Sequence, residues 1–217
     1  MTEPVSAATQ PKDAGYYDNR RPDLVDMLPR PIGRVLEVGC GAGTVAGQLR
    51  EEGAERLVGI EPDPGAAAVA EGVCDQVLAM TVESALNELD GPFDTIICHD
   101  VLEHLVDPWR VLRQLREIAA PGGRLQVSVP NARHLSLILD LTFRGTFGYT
   151  HFAHRDITHL RWFTRKDIVA AVAEAGWSVT ATSHSRLSTP RRVFDRLTFG
   201  LSTEFLVLQW YVVATRD

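Results

Sequence analysis

Nine residues, Val35-Leu36-Glu37-Val38-Gly39-Cys40-Gly41-Ala42-Gly43, constrain the fold of this chain more than any other stretch. A short apolar run carrying one acid, Glu37, passes straight into three glycines at alternate positions. The run has the composition of a buried parallel strand. The glycines predict a tight strand-to-helix turn where bare backbone can approach a ligand, and residues 44–50 read as the helix that follows. Further on, a second apolar run, Leu57-Val58-Gly59-Ile60, ends at Glu61 and Pro62. An acid in that position accepts hydrogen bonds from both hydroxyls of a ribose. Turn, spacing and acid together predict a cofactor that contains adenosine.

The glycine spacing narrows the choice. A dinucleotide fold uses Gly-x-Gly-x-x-Gly to bring a pyrophosphate onto a helix N-terminus. Here the order is Gly-x-Gly-x-Gly, and Thr44 holds the place of the last dinucleotide glycine. Glu37, two residues before the first glycine, is a poor neighbour for a pyrophosphate and suits a cationic or ammonium-bearing ligand. On residues 35–43 the chain resembles the class I methyltransferases that use S-adenosylmethionine. A Rossmann-like turn with another ligand is the alternative at these residues. A nicotinamide-dependent oxidoreductase is disfavoured by the glycine spacing and by the lack of a Tyr-x-x-x-Lys relay.

The 217 residues suit one α/β domain, 15–217, behind a polar tail at 1–14. A net charge of −6 argues against a general nucleic-acid binder. Cys40, Cys74 and Cys98 show no metal spacing and read as buried, reduced thiols of a cytoplasmic protein. The sequence has no signal-peptide stretch and no apolar run long enough for a membrane span.

Strands are expected at 34–38, 56–60, 76–80, 93–98, 125–129, 177–181 and 205–214. Helices are expected at 64–71, after Asp107-Pro108, and at 164–175 behind a Thr164 cap. Pro121-Gly122-Gly123 is read as the helix stop before strand five, and 183–203 as a polar, basic connection without a helix. This alternation predicts a Rossmann-like, doubly wound, seven-stranded sheet with the last strand antiparallel. An irregular, partly helical insert at 132–163, helical over 135–141, would cover the substrate side. An exposed last strand or the apolar insert would support a homodimer.

The resemblance to class I methyltransferases extends over about residues 15–215 and implies a set of cofactor residues. Glu37, Gly39, Cys40, Gly41 and Gly43 come from the first motif, and Glu61 and Pro62 from the second strand. Thr81, Val82 and Glu83 are implied beside the adenine. His99, Asp100 and Val101, in Cys98-His99-Asp100-Val101-Leu102-Glu103-His104, are implied beside the methionine arm. Tyr17 and Arg21 are implied in the segment that covers the cofactor. Val129-Pro130-Asn131 and His159-Leu160-Arg161-Trp162-Phe163-Thr164 are similar to a narrower group, the ubiquinone-pathway O-methyltransferase-like enzymes.

Methyl transfer to a hydroxyl needs alignment and a base. Four of the seven histidines, His134, His151, His154 and His159, lie in the insert. The reading prefers His154 as base with Asp156 as its partner, and His151 and His104 as further candidates; His159 is read as an anchor to the loop after strand four. Asp100, Glu103 and His104 parallel a Glu-x-x-Glu-His set that holds a divalent cation in some ubiquinone-pathway enzymes. The favoured reading here is that they hold none. Phe147 and Tyr149, between Gly145 and Gly148, suggest a lid, and Trp162-Phe163 read as core. Arg186, Arg191, Arg192 and Arg196 form a solvated face or hold an anionic acceptor. The expectation is methylation of a small-molecule acceptor: first the oxygen of a sugar, phenol or specialised metabolite, and second a small amine. A non-catalytic cofactor-binding protein is the remaining alternative.

Overall fold

The computed structural model describes residues 20–151 and 153–217; the expected tail 1–14, Tyr17 and Phe152 lie outside the described residues. Seven strands, β1 Arg34–Val38, β2 Arg56–Ile60, β3 Gln76–Leu78, β4 Phe93–His99, β5 Ala119–Pro130, β6 Ser178–His184 and β7 Gln209–Thr215, form one sheet. Its order is β3-β2-β1-β4-β5-β7-β6. β1 pairs in parallel with β2 and β4, and β7 runs antiparallel to both β5 and β6. The order reverses between β1 and β4, so the carboxyl ends of these strands flank the crevice where open α/β sheets bind ligands.

The helices are α1 Pro22–Val25, α2 Thr44–Glu51, α3 Pro64–Ala70, α4 Val82–Ala85, α5 Pro108–Glu117, α6 Leu135–Leu139, α7 Arg165–Glu174, α8 Thr189–Leu197 and α9 Thr203–Leu206. Successive strand residues point to opposite faces. Val35 therefore joins Leu28, Val45, Leu49 and Leu57 on one side of the sheet. Leu36 and Val38 join Ile96, Leu112, Leu115, Val172 and Trp177 on the other. α5 starts where Asp107 accepts a hydrogen bond from Arg110 N at 3.0 Å, with Pro108 in its first turn, and it buries Val111, Leu112 and Leu115. Burial contributes about 1.5–3 kcal/mol for each such side chain. Thr164 and Asp167 form the expected capping box at α7. Behind α7, Trp177 Nε1 donates to Leu112 O at 3.0 Å and locks α5 against the strand that follows.

Three expectations are corrected. First, α5 ends at Glu117, and β5 already begins at Ala119. Gly122 N donates to Arg216 O at 2.9 Å and Arg216 N to Gly123 O at 2.8 Å, so the Pro-Gly-Gly segment is held in the sheet beside β7. Second, the connection from β6 to β7 contains α8 and α9, and β7 starts at Gln209. Asn131 Nδ2 donates to Glu204 O at 3.0 Å and to Val207 O at 2.9 Å, which holds residues 204–207 off the ladder. Third, β7 is interior. Among the described strands the edges are β3 and β6, so the last strand offers no dimer edge.

All three cysteines are free and buried. Among the described residues no helix is long and apolar enough to cross a membrane.

Candidate active site

The glycine turn takes the left-handed backbone that its composition implies. Gly39, Gly41 and Gly43 have φ of +73°, +53° and +82°. A Cβ on Gly39 would lie 2.6 Å from Val101 Cγ2, so glycine is required both by φ and by the approach of the loop after β4. Glu61, buried at the end of β2, braces this turn. Its Oε2 accepts from Gly41 N and its Oε1 from Asp63 N, both at 2.9 Å. Pro62 is exposed beside it. Glu37 lies beneath the turn, only 4% exposed, and its Oε2 has no hydrogen-bond partner among the described residues. Burial pushes its carboxyl well above the usual range. Cys74 and Glu61 add to this, and a hydrogen bond from the Ala46 backbone opposes it. A bare glycine cradle over a buried acid with one unpartnered oxygen fits a ligand that brings its own cation.

Thr81 precedes α4, whose first turn presents Val82, buried, and Glu83, half-buried. His99 closes β4. Gln126 Nε2 donates to Leu24 O at 3.0 Å, which aims Gln126 Oε1 at His99 Nε2, also at 3.0 Å. The ring therefore carries its proton on Nε2 and keeps Nδ1 as a buried acceptor without a partner among the described residues. Burial and the Arg21 guanidinium lower His99 to about 4.

Asp100, at φ +54°, is committed elsewhere. It accepts from Arg21 Nη1 at 2.9 Å, from Gln209 Nε2 at 2.7 and 2.8 Å, and from Ser128 Oγ at 3.1 Å. Tyr211 joins the same network by donating to Asp23 at 2.7 Å. Asp100 therefore does not join Glu103 and His104, the less favoured cation set, because Arg21, Gln209 and Ser128 already hold its carboxylate. Glu103 and His104 instead meet His159, with one donor atom from each within 4.8 Å of the others. His159 Nε2 lies 4.0 Å from the buried Glu103 Oε1, and Leu160 N and Arg161 N donate to Glu103 O. His104 Nδ1 lies 3.1 Å from Thr158 Oγ1. These contacts tie the insert to the loop after β4, the role expected of His159.

The expected His154–Asp156 pair is also corrected. Asp156 Oδ1 accepts from Thr158 N at 2.9 Å and Thr158 Oγ1 at 2.7 Å, while His154 Nε2 lies 3.2 Å from Ser136 Oγ. His151 is exposed. The partner of His154 is a residue outside the expected set, Ser136, and through it His134. Ser136 N and Oγ both face His134 Nδ1, at 3.3 and 2.8 Å. The hydroxyl proton therefore goes to His134 Nδ1, His154 Nε2–H donates to Ser136 Oγ, and His154 Nδ1 keeps a lone pair. Burial lowers both rings, His134 to about 4 with help from His154, Arg191 and Arg155, and His154 with help from Arg155. Ser136 also lines a cavity of about 430 Å³ with Leu139, Asp140, Phe143 and Arg144. Phe147 stacks on Tyr149, with ring centroids 4.6 Å apart, and packs edge-on against Trp162. Phe163 is core, but Trp162, expected there too, is 44% exposed and packs against Phe147 instead.

Depressed histidines make stability depend on pH. In the unfolded chain His99 and His134 regain an ordinary value near 6.5. Between about 6.5 and 4 the unfolded chain then binds more protons than the folded one, so stability rises with pH across that window. Urea unfolding is expected to give a lower midpoint at pH 5 than at pH 7, with the difference reduced in His134→Asn. Equal midpoints in the wild type would mean that these rings are not held neutral.

The family described as "Methyltransferase domain" matches residues 12–182, and the chain belongs to it. Membership of a methyltransferase family stands against the nicotinamide alternative. Among curated proteins, the chain is 31% identical over 134 residues to the ubiquinone biosynthesis O-methyltransferase of Pseudomonas aeruginosa, covering 55% of this chain and 57% of that one. The chain thus spans a little over half the length of that relative. Among solved structures, an S-adenosylmethionine-dependent methyltransferase from Archaeoglobus fulgidus superposes with a TM-score of 0.67 at 17% identity, covering 86% of this chain and 87% of that one. A possible histamine N-methyltransferase from Thermotoga maritima gives 0.62 at 20% identity, over 89% and 86%. Both share the fold.

Proposed function

We propose that this single domain, 15–217 with its insert 132–163, methylates an oxygen of a small-molecule acceptor such as a sugar, phenol or specialised metabolite. S-adenosylmethionine, when bound, supplies an electrophilic methyl group on a sulfonium whose charge already activates the leaving group. The Gly39–Gly43 turn and Cys40 give it a backbone cradle, Glu61 and Pro62 take the ribose end, and Glu37 lies under the ammonium end. Thr81, Val82 and Glu83 border the adenine, His99 and Val101 flank the methionine arm, and Asp100 pins Arg21 across it.

The observation that carries the oxygen reading is the His134–Ser136–His154 chain, whose middle member Ser136 lines a cavity in the insert. A hydroxyl must lose its proton as the new bond forms. His154 is neutral and offers Nδ1, and Ser136 and His134 fix its tautomer. The relative from Pseudomonas is by name an O-methyltransferase, which supports the same choice. Glu103, His104 and His159 are structural on this reading, and the reaction uses no metal. We also read the protein as cytoplasmic and independent of nucleic acid. Any homodimer would use the insert, where Leu139, Leu141 and Phe143 are exposed.

The test is release of S-adenosylhomocysteine with a panel of phenols, sugars and amines, with and without EDTA. Turnover of a hydroxylated acceptor, unchanged by EDTA, is the expected result. Turnover of amines alone would replace oxygen by nitrogen as the acceptor atom. Tight cofactor binding with no turnover on any acceptor would favour a non-catalytic cofactor-binding protein.

A further inference from the structure

Helix α8 carries its apolar face on the wrong side. A helix packed on a core turns its apolar stripe inward. Along α8, Val193, Phe194 and Leu197 share one face at helical spacing, and they are 53%, 54% and 72% exposed. The helix buries none of its residues. The side turned to the protein is polar. Asp195 accepts from Ser202 Oγ and Thr203 Oγ1, each at 2.8 Å, and Thr198 Oγ1 donates to Ser202 Oγ at 2.9 Å. Polar contacts therefore tie this side of the helix to the start of α9 while its apolar face points outward. That face continues beyond the helix into Phe199, 94% exposed, and Leu201, 77% exposed. Exposed apolar patches of this kind mark interaction surfaces.

Charge decides the occupant. The chain has a net charge of −6, yet residues 186–201 carry Arg186, Arg191, Arg192 and Arg196 against one acid, Asp195. The Asp195 carboxylate is spent inward. At 100° per residue, Arg191 and Arg196 fall on the two borders of the apolar face. A second copy docked by the same patch across a two-fold axis would bring arginine onto arginine. A nucleic acid would meet the arginines and leave the leucines and phenylalanines bare. An anionic lipid surface satisfies both, because head groups pair with the arginines while the apolar face enters the acyl boundary. We propose that α8 and the turn after it dock this methyltransferase on an anionic lipid surface.

The experiment is sedimentation of the full chain with phosphatidylglycerol vesicles and with phosphatidylcholine vesicles. Binding to the first, weak binding to the second and release by salt are expected. Phe194→Glu/Leu197→Glu should reduce the partition coefficient at least tenfold. Arg191→Gln/Arg196→Gln should reduce it roughly 25-fold, about fivefold per arginine. Calorimetric S-adenosylmethionine binding, unchanged in both variants, shows that the fold is kept. The proposal is overturned by failure to bind phosphatidylglycerol, or by binding indifferent to both pairs of substitutions. It is equally overturned if sedimentation velocity shows a dimer that Phe194→Glu/Leu197→Glu dissolves, or if the arginines bind duplex DNA more tightly than the vesicles.

Discussion

Glu61→Ala should abolish S-adenosylmethionine binding in calorimetry, with an apparent Kd raised at least about 100-fold. The side chain has two duties. In the proposed function it accepts from ribose hydroxyls, and in the structure it accepts from Gly41 N and Asp63 N at 2.9 Å each. Hydrogen bonds to a charged acceptor contribute about 1.5–3 kcal/mol apiece, and the loss of two is enough for that factor. Glu61→Gln keeps one acceptor oxygen and should fall between the wild type and Ala. Thermal melts of both variants separate lost binding from lost folding. A folded Glu61→Ala protein that binds as tightly as the wild type would reduce this acid to a brace for the turn.

His154→Ala should lower kcat by about 10²–10⁴-fold on a hydroxylated acceptor, the range of a positioned base, and leave cofactor affinity intact. Burial, with Arg155 adding to it, lowers the ring. The acid limb of the wild-type pH–rate profile should therefore fall below the ordinary histidine value, with a flat region through neutrality. Ser136→Ala removes the bond that sets the tautomer without removing the base. It should shift that profile and give a smaller loss. Undiminished turnover by His154→Ala at pH 7 would move the base elsewhere or make the acceptor an amine.

Much of the fold is legible because the strands are short apolar runs between strong punctuation, as at Gly91-Pro92 before β4 and Asp107-Pro108 before α5. The cofactor cradle is legible for the same local reason. Three glycines at alternate positions need positive φ, and they have it. Glu61 reads as an acid for a ribose, but its bond to Gly41 depends on how β2 lies beside β1, which no local pattern states. His154 and Asp156 are close in sequence within an irregular segment, where no period decides which way a side chain points. Gln126, polar and buried within an apolar strand, was the available hint that a histidine needed orienting. In α8 four arginines concealed a helical pattern that Thr189-Pro190 begins and Val193, Phe194 and Leu197 continue.

The Asp100 network bears on biosynthesis. β1, β2 and β4 are all made by residue 99, so the cradle can form early in translation. Arg21, however, is pinned in part by Gln209 Oε1 at 3.0 Å, across 188 positions of sequence. Loop closure over such a span comes late. With Arg21 in its proposed role as cover, a nascent chain that has not reached β7 holds an uncovered cradle, and firm retention of the cofactor waits on that strand. Ribosome-bound chains released just before and just after β7 would differ in how long they keep S-adenosylmethionine, which makes cofactor retention a check that synthesis has run through that strand.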